Sequence, residues 1–237
     1  MTERNLTGER HFWWDKPRTI SVVVDNPSWI LNFAERFVAE LNASGDSAVL
    51  VRSSEDVPSG DIAFYLGCVK LTPGSVMARN RLNLAVHESR LPDGKGFSPL
   101  SWQILKGRNV IPVTLFELNE QVDSGPVLIR DELRFEGHEL VDELRSAQGR
   151  KTIELCWRCL NSEEPPCGTI QAGESTYYAR RRPSDSRIDP NKSIAEQFEL
   201  LRIVDNEKYP AYFDYRGCRY VLKIVKSAPD DCTVGEG

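Results

Sequence analysis

The run Thr19-Ile20-Ser21-Val22-Val23-Val24-Asp25 is almost continuously apolar, without the alternation of a strand that has one face in water. Such a run belongs to a strand covered on both faces, as parallel strands inside an α/β sheet are. Asn26-Pro27-Ser28 ends it, and Ser28 stands where it can cap a helix over residues 29–42. The apolar positions of that helix, Ile30, Phe33, Phe37, Val38 and Leu41, repeat at helical spacing. Ser44-Gly45-Asp46 turns the chain, and two more strands are expected over 48–51 and 62–66. Strand, helix and strand in this order give a βαβ unit with a right-handed crossover, hence an α/β fold with a mostly parallel sheet.

The stretch 82–125 carries the chemistry-bearing residues. A short apolar strand, Leu84-Ala85-Val86, ends in His87 and is followed by Glu88-Ser89-Arg90-Leu91-Pro92 and the glycine-bearing loop Asp93-Gly94-Lys95-Gly96. Ser98-Pro99 is a helix-start signal, with Ser as N-cap and Pro at the first helical position, and predicts a helix over 99–106 that stops at Gly107. A β-rich run over 110–115 then leads to a polar loop with Asp123-Ser124-Gly125 and a strand over 127–129. Taken singly, a His at a strand end is usually a structural residue, and Asp-Ser-Gly is an ordinary turn.

In order and at this spacing, His87-x-Ser89-x-Leu91-Pro92, Gly96-x-x-Pro99, Thr114-Leu115 and Asp123-x-Gly125 resemble the signature of the folate-dependent formyltransferases, which act on glycinamide ribonucleotide, methionyl-tRNA or sugar nucleotides. Residues 182–226 resemble the tail of the sugar-modifying branch, and the nearest likeness is to the formyltransferases of pseudaminic acid type nucleotide sugars. The resemblance implies a Rossmann-like formyltransferase domain and 10-formyltetrahydrofolate as co-substrate. It implies His87 and Asp123 as catalytic residues, with Asn83 as a third candidate. The pterin is expected against Val122, Ser124 and Gly125 and against the backbone near Leu91 and Pro92. The acceptor, the amine of a nucleotide-linked 4-amino-4,6-dideoxy sugar, is expected near Tyr65, Ser89, Lys95 and Gly96.

An amine attacking a formyl carbonyl builds negative charge on oxygen and positive charge on nitrogen, so the site needs donors aimed at the oxygen and a group to manage the proton. His87 can serve both needs, and a carboxylate beside it, Asp123 by resemblance, would fix its tautomer and stabilise imidazolium. Formyltransferases usually place Asn two residues before the His. Here that position is Ala85, and Asn83 lies a further ~6.6 Å back along the strand. Ser89, Asn80 or a backbone amide are the substitute donors to weigh, and an active enzyme needs one, since losing an oxyanion donor costs roughly 100-fold. This departure keeps a second reading open, a non-catalytic relative that binds folate or a nucleotide sugar, beside a formyltransferase acting on another amine. Lys70 and Arg79 border the expected crevice and could pair with a diphosphate.

A helix is expected over 138–160, with Gly149 its weak point, and Glu163-Glu164-Pro165-Pro166 closes the region. Cys156-x-x-Cys159 lacks a second ligand pair for zinc and reads as two structural thiols on a buried helix face. Beyond Arg182-Pro183-Ser184-Asp185-Ser186-x-Ile188-Asp189, a helix over 193–204 and a hairpin turning at Arg216-Gly217 complete the chain. We therefore expect a catalytic domain over 1–175, with 1–15 a loose arm, and a C-terminal extension over 176–237. With 237 residues, a formal charge of −5, and Lys and Arg barely outnumbering Asp and Glu after residue 178, nothing favours nucleic acid as partner. Six cysteines without a signal peptide or long apolar run point to a cytoplasmic protein with no membrane partner and no metal. The oligomeric state is open, a homodimer included.

Overall fold

In the computed structural model, which describes residues 17–227, β1 (Thr19–Val23) lies between two strands parallel to it. These are β2 (Ser47–Val51) and β3 (Gly60–Tyr65). Residues 20–23 are buried, so the run without alternation is a strand with both faces covered. α1 (Leu31–Ala43) makes the crossover. It begins two residues later than the Ser28 signal predicts, because Ser28 contributes its carbonyl, which accepts the N–H of Leu31, and not its side chain.

α2 (Gly74–Met77) is a single turn, and the chain enters β4 (Asn80–His87) directly after it, parallel to β3. β5 (Lys95–Gly96), α3 (Pro99–Leu105), β6 (Val110–Glu117) and β7 (Val127–Arg134) follow. β6 pairs antiparallel with β4 and β7 with β6, giving the order β2-β1-β3-β4-β6-β7. This is the expected mostly parallel Rossmann-like sheet, with an antiparallel hairpin along one edge. α4 (Val141–Leu160) covers one face beside α1.

The rest of the chain folds back on this frame. β8 (Tyr177–Tyr178) pairs with β5. The helix expected over 193–204 divides into a 3-10 turn, Ala195–Gln197, and α5 (Phe198–Ile203). β9 (Ala211–Tyr215) and β10 (Cys218–Leu222) form the expected hairpin, and positive φ at Arg216 and Gly217 makes its turn type I′. The N-terminal arm expected over 1–15 lies outside the described residues.

The main core fills the sheet face under α1 and α4. Phe37 meets Phe64 and Trp157 edge to face there, at centroid distances of 5.6 and 5.4 Å. Gly149 is a crossing point and not a weak point: a Cβ on it would lie 2.6 Å from the Phe33 ring, so glycine lets α4 approach α1. Cys156 and Cys159 are buried on the same side, and burial pushes both thiols up, Cys159 to about 12.

Buried ion pairs join elements that apolar contacts alone would leave free to slide. Arg18 donates to both carboxylate oxygens of Asp46 at 3.0 and 2.6 Å, and to the carbonyl of Leu160 at 2.8 Å. It thereby ties the start of β1, the α1–β2 turn and the end of α4. Arg202 of α5 is likewise buried and donates to the carbonyl and carboxylate of Glu139 and to Asn109. Arg18→Leu removes the buried cation that faces the Asp46 carboxylate and is expected to cost about 3–5 kcal/mol in urea unfolding, whereas Arg18→Leu with Asp46→Leu recovers most of that loss.

Candidate active site

At the carboxyl ends of β1, β3 and β4 the sheet opens into a cleft of about 470 Å³, within the usual range for small-molecule sites. Asn26 lines it from the turn after β1, Tyr65 from the end of β3, Cys68 and Lys70 from the turn after β3, and Ala85, His87 and Glu88 from the end of β4. Phe116, Leu118, Val122 and Asp123 line it from the β6–β7 hairpin, and Leu144, Arg145, Gln148 and Thr152 from α4.

His87 and Asp123 meet at this cleft, with Nε2 of the imidazole 3.8 Å from Oδ2 of the carboxylate. That distance is an electrostatic contact and not a hydrogen bond. Nε2 lies 2.9 Å from the carbonyl oxygen of Gly94; a carbonyl only accepts, so Nε2 carries the proton in this arrangement. Asp123 Oδ2 accepts the N–H of Gly96 at 2.8 Å, which locks the carboxylate to the glycine loop.

The chain reaches this geometry by a return path. It leaves β6 beside Asn83, whose carbonyl accepts the N–H of Leu118 at 2.7 Å, and comes back to the end of β4 at Asp123. Asp123 has a φ of 48°, a left-handed conformation that Asp tolerates better than most residues. Gly125 passes so near β6 that a Cβ on it would fall 1.7 Å from the carbonyl oxygen of Glu117. Gln171 then spans the turn, its amide donating to the carbonyls of Asp123 and Gly125 at 2.9 and 2.8 Å. Nothing in the sequence around Gln171 marks it for this task.

The glycine loop is pinned from its other side by the segment 176–178. Thr176 accepts the N–H of Gly94 through its hydroxyl and that of Lys95 through its carbonyl. Gly96 has a φ of 96°, and a Cβ there would meet the carbonyl oxygen of Tyr178 at 2.5 Å. Lys95 is buried and donates to Ser124 Oγ at 2.6 Å, so these two residues fasten the loops to each other beside the cleft. Ser98 holds the N-cap position of α3, but in a left-handed conformation and without a side-chain cap, so its hydroxyl is left to line the cleft.

Several expected positions are placed elsewhere. The Asn83 amide donates to the carbonyl of Met77 at 2.9 Å and its oxygen accepts the Tyr65 hydroxyl at 3.4 Å, and it does not line the cleft. Asn83 precedes His87 by four strand residues, roughly 13 Å, which explains why it serves the sheet instead. Ser89 is buried beneath the Gly94 turn with its hydroxyl unpartnered, away from the cleft. The Leu91 side chain is packed in the smaller core, and Leu91 and Pro92, joined by a cis peptide, line a separate shallow cavity of about 280 Å³. Arg79 and Asn80 sit at the opposite end of β4, where Arg79 donates to the carbonyls of Glu55 and Val57 and Asn80 to that of Pro58. Tyr65 and Lys70 do reach the cleft.

Burial holds the Tyr65 hydroxyl up at about 12, with Cys68 adding to the shift, and burial together with Asp25 holds the Cys68 thiol at about 12. Both therefore face the cleft as neutral groups at physiological pH. Glu88 was not singled out from the sequence, yet it is a buried carboxyl on the cleft wall. Burial pushes it above the usual carboxylate range and Asp123 pushes the same way, opposed by His87 and a hydrogen bond with Gln148. Its position beside the candidate histidine was the available signal.

Gly125→Ala is expected to destabilise the fold by about 1–3 kcal/mol, the usual cost of forcing atoms into filled space, and to speed amide exchange at Gly96, whose N–H depends on Asp123. A carboxyl raised in the folded state contributes stability that is complete below its unfolded value of about 4.3 and is lost as pH rises through the folded value. Glu88→Gln should therefore melt above the wild type at pH 8, with the gap closing near pH 4 in thermal scans.

Residues 42–153 match the family model described as formyl transferase. The fold is similar to that of methionyl-tRNA formyltransferase from Clostridium thermocellum, at 19% identity and a TM-score of 0.74 over 89% of this chain and 93% of that one. It is similar to a sugar N-formyltransferase from Shewanella sp, at 14% identity and a TM-score of 0.61 over 89% and 98%. HypX from Aquifex aeolicus in complex with tetrahydrofolic acid aligns at 15% identity with a TM-score of 0.69 over 88% of this chain and 38% of that one. Residues 42–153 thus match the formyl transferase family model, and the chain shares the fold of these formyltransferases.

Proposed function

We propose that the protein is an N-formyltransferase that moves a formyl group from 10-formyltetrahydrofolate to the primary amine of a nucleotide-linked amino-deoxy sugar of the 4-amino-4,6-dideoxy type. The observation that carries this reading is the pairing of His87 with Asp123 at the mouth of the cleft. HypX is described in complex with tetrahydrofolic acid, and the Shewanella protein is named for sugar N-formylation; these support the folate and the acceptor class. The hinge residues Arg182 to Asp189, similar to those of the sugar-modifying branch, support it too.

The residues present fit a folate. Ala85, Phe116, Leu118 and Val122 offer an apolar wall for a flat ring, and the hairpin backbone beside them offers peptide edges for its polar rim. When bound, the folate supplies a formyl group on nitrogen. His87 faces the place where the formyl oxygen gains charge and can donate to it or carry a proton away from the amine. The Gly94 carbonyl holds the imidazole in orientation and Asp123 balances positive charge that develops on it, while Gly96 keeps Asp123 in place.

Ala85 and the engaged Asn83 favour one second reading, a relative that binds folate or a nucleotide sugar without turnover. Incubation with 10-formyltetrahydrofolate and a panel of amino sugar nucleotides, following release of tetrahydrofolate, separates the two. Turnover is expected with the wild type, and His87→Ala or Asp123→Ala should lower it about 100- to 10,000-fold while leaving thermal unfolding cooperative. Full turnover in either variant overturns the assignment, and calorimetric binding without release favours the second reading.

A further inference from the structure

Glu88 follows His87 but serves the other side of the sheet. Its side chain reaches Gln148 of α4, and its carbonyl accepts Gln103 of α3 at 2.6 Å, while His87 faces Asp123. Only 8% exposed, it nevertheless lines the cleft, with Leu144 and Thr152 beside it. Among the described residues no ion pair joins it to a Lys or Arg. Arg145, the α4 cation that lines the cleft, is held by Asp205 at 2.8 Å. A buried carboxyl that faces a cavity without a cation of its own is arranged to receive one from outside.

We propose that Glu88 is the acceptor-amine residue of this site: its carboxylate binds the incoming sugar ammonium and takes one proton from it, leaving a neutral amine beside His87. The step balances without a further reagent, since one N–H bond breaks, one O–H bond forms on Glu88, and the nitrogen keeps the electron pair it needs for attack. This rests on the formyltransferase reading and deepens it by giving the acceptor as an amine that arrives protonated. The titratable groups sharing the cleft with Glu88 are His87 from its own strand, Tyr65 at the end of β3, Cys68 and Lys70 from the turn after it, Asp123 from the β6–β7 hairpin, and Arg145, on α4 with Gln148. The upward shift of the Glu88 carboxyl runs in the direction a proton acceptor at neutral pH requires. Gln103 and Gln148 fix the main chain and the side chain, so the carboxylate is presented in one orientation.

The test compares wild type with Glu88→Gln, which keeps the size and the hydrogen bond to Gln148 but cannot take a proton. The probes are the best amino sugar nucleotide of the panel and its hydroxyl counterpart, which cannot be an ammonium. In Glu88→Gln, kcat/KM for the amine should fall at least tenfold at pH 7 and recover as pH rises and the amine deprotonates in solution. Calorimetry should show tenfold weaker binding of the amine and unchanged binding of the hydroxyl counterpart and of tetrahydrofolate. A variant whose pH profile parallels the wild type, or that loses amine and hydroxyl probes equally, overturns this assignment and leaves the formyltransferase reading standing. A wild type that releases no tetrahydrofolate with any amine overturns both.

Discussion

The hydrogen bond from the Gly96 N–H to the Asp123 carboxylate is the contact on which the cleft's chemistry depends. It joins two loops that come from different parts of the sheet, the connection after β4 and the hairpin after β6. Beside it, Lys95 Nζ donates to Ser124 Oγ and links the same two loops a second time. Each loop reaches the contact only because glycine permits a main-chain path that a side chain would block, at Gly96 against Tyr178 and at Gly125 against Glu117. The polar pair at the cleft is thus a property of backbone placement before it is a property of two side chains.

That placement explains the sidedness of the site. β4 ends inside the sheet, so consecutive residues at its end address different faces: His87 meets the hairpin and Glu88 meets α4. A folded-over cleft touching both faces can hold two reactants apart by the thickness of one strand and still bring their reacting atoms together at its edge. The buried Arg18 and Arg202 networks serve this arrangement at a distance, because they fix α4 and α5 against the sheet and so fix the wall that carries Gln148 and Arg145.

Much of the fold was legible in the chain. The unbroken apolar run of β1, the helical spacing of α1 and the Arg216-Gly217 turn each have one structural solution, and they took it. His87 and Asp123 could be paired because the motifs around them, in order, resemble those of a family that sets the two side by side, although β5, α3 and β6 lie between them. What could not be read depends on contacts distant in sequence. Gln171 clasps the Asp123 turn from 48 residues away, and Gly149 is explained only by the Phe33 ring on another helix. Asn83 and Ser89 misled for a related reason: their type suits an oxyanion donor, but strand length and the Gly94 turn aim them into the protein. Arg79 and Asn80 were read at the wrong end of β4 because α2 stops after one turn.

The clasp of β8 on β5 bears on what counts as a minimal enzyme here. The family-matched segment 42–153 holds His87, Glu88 and Asp123, yet it excludes β1, which joins β2 to β3 in the sheet, and the Thr176 and Tyr178 backbone that grips the glycine loop. The recognisable motif and the physically competent unit are therefore different lengths of chain. A graft or fragment cut to the motif would carry every reactive group but lack β1 and the Thr176–Tyr178 clasp that help to aim them.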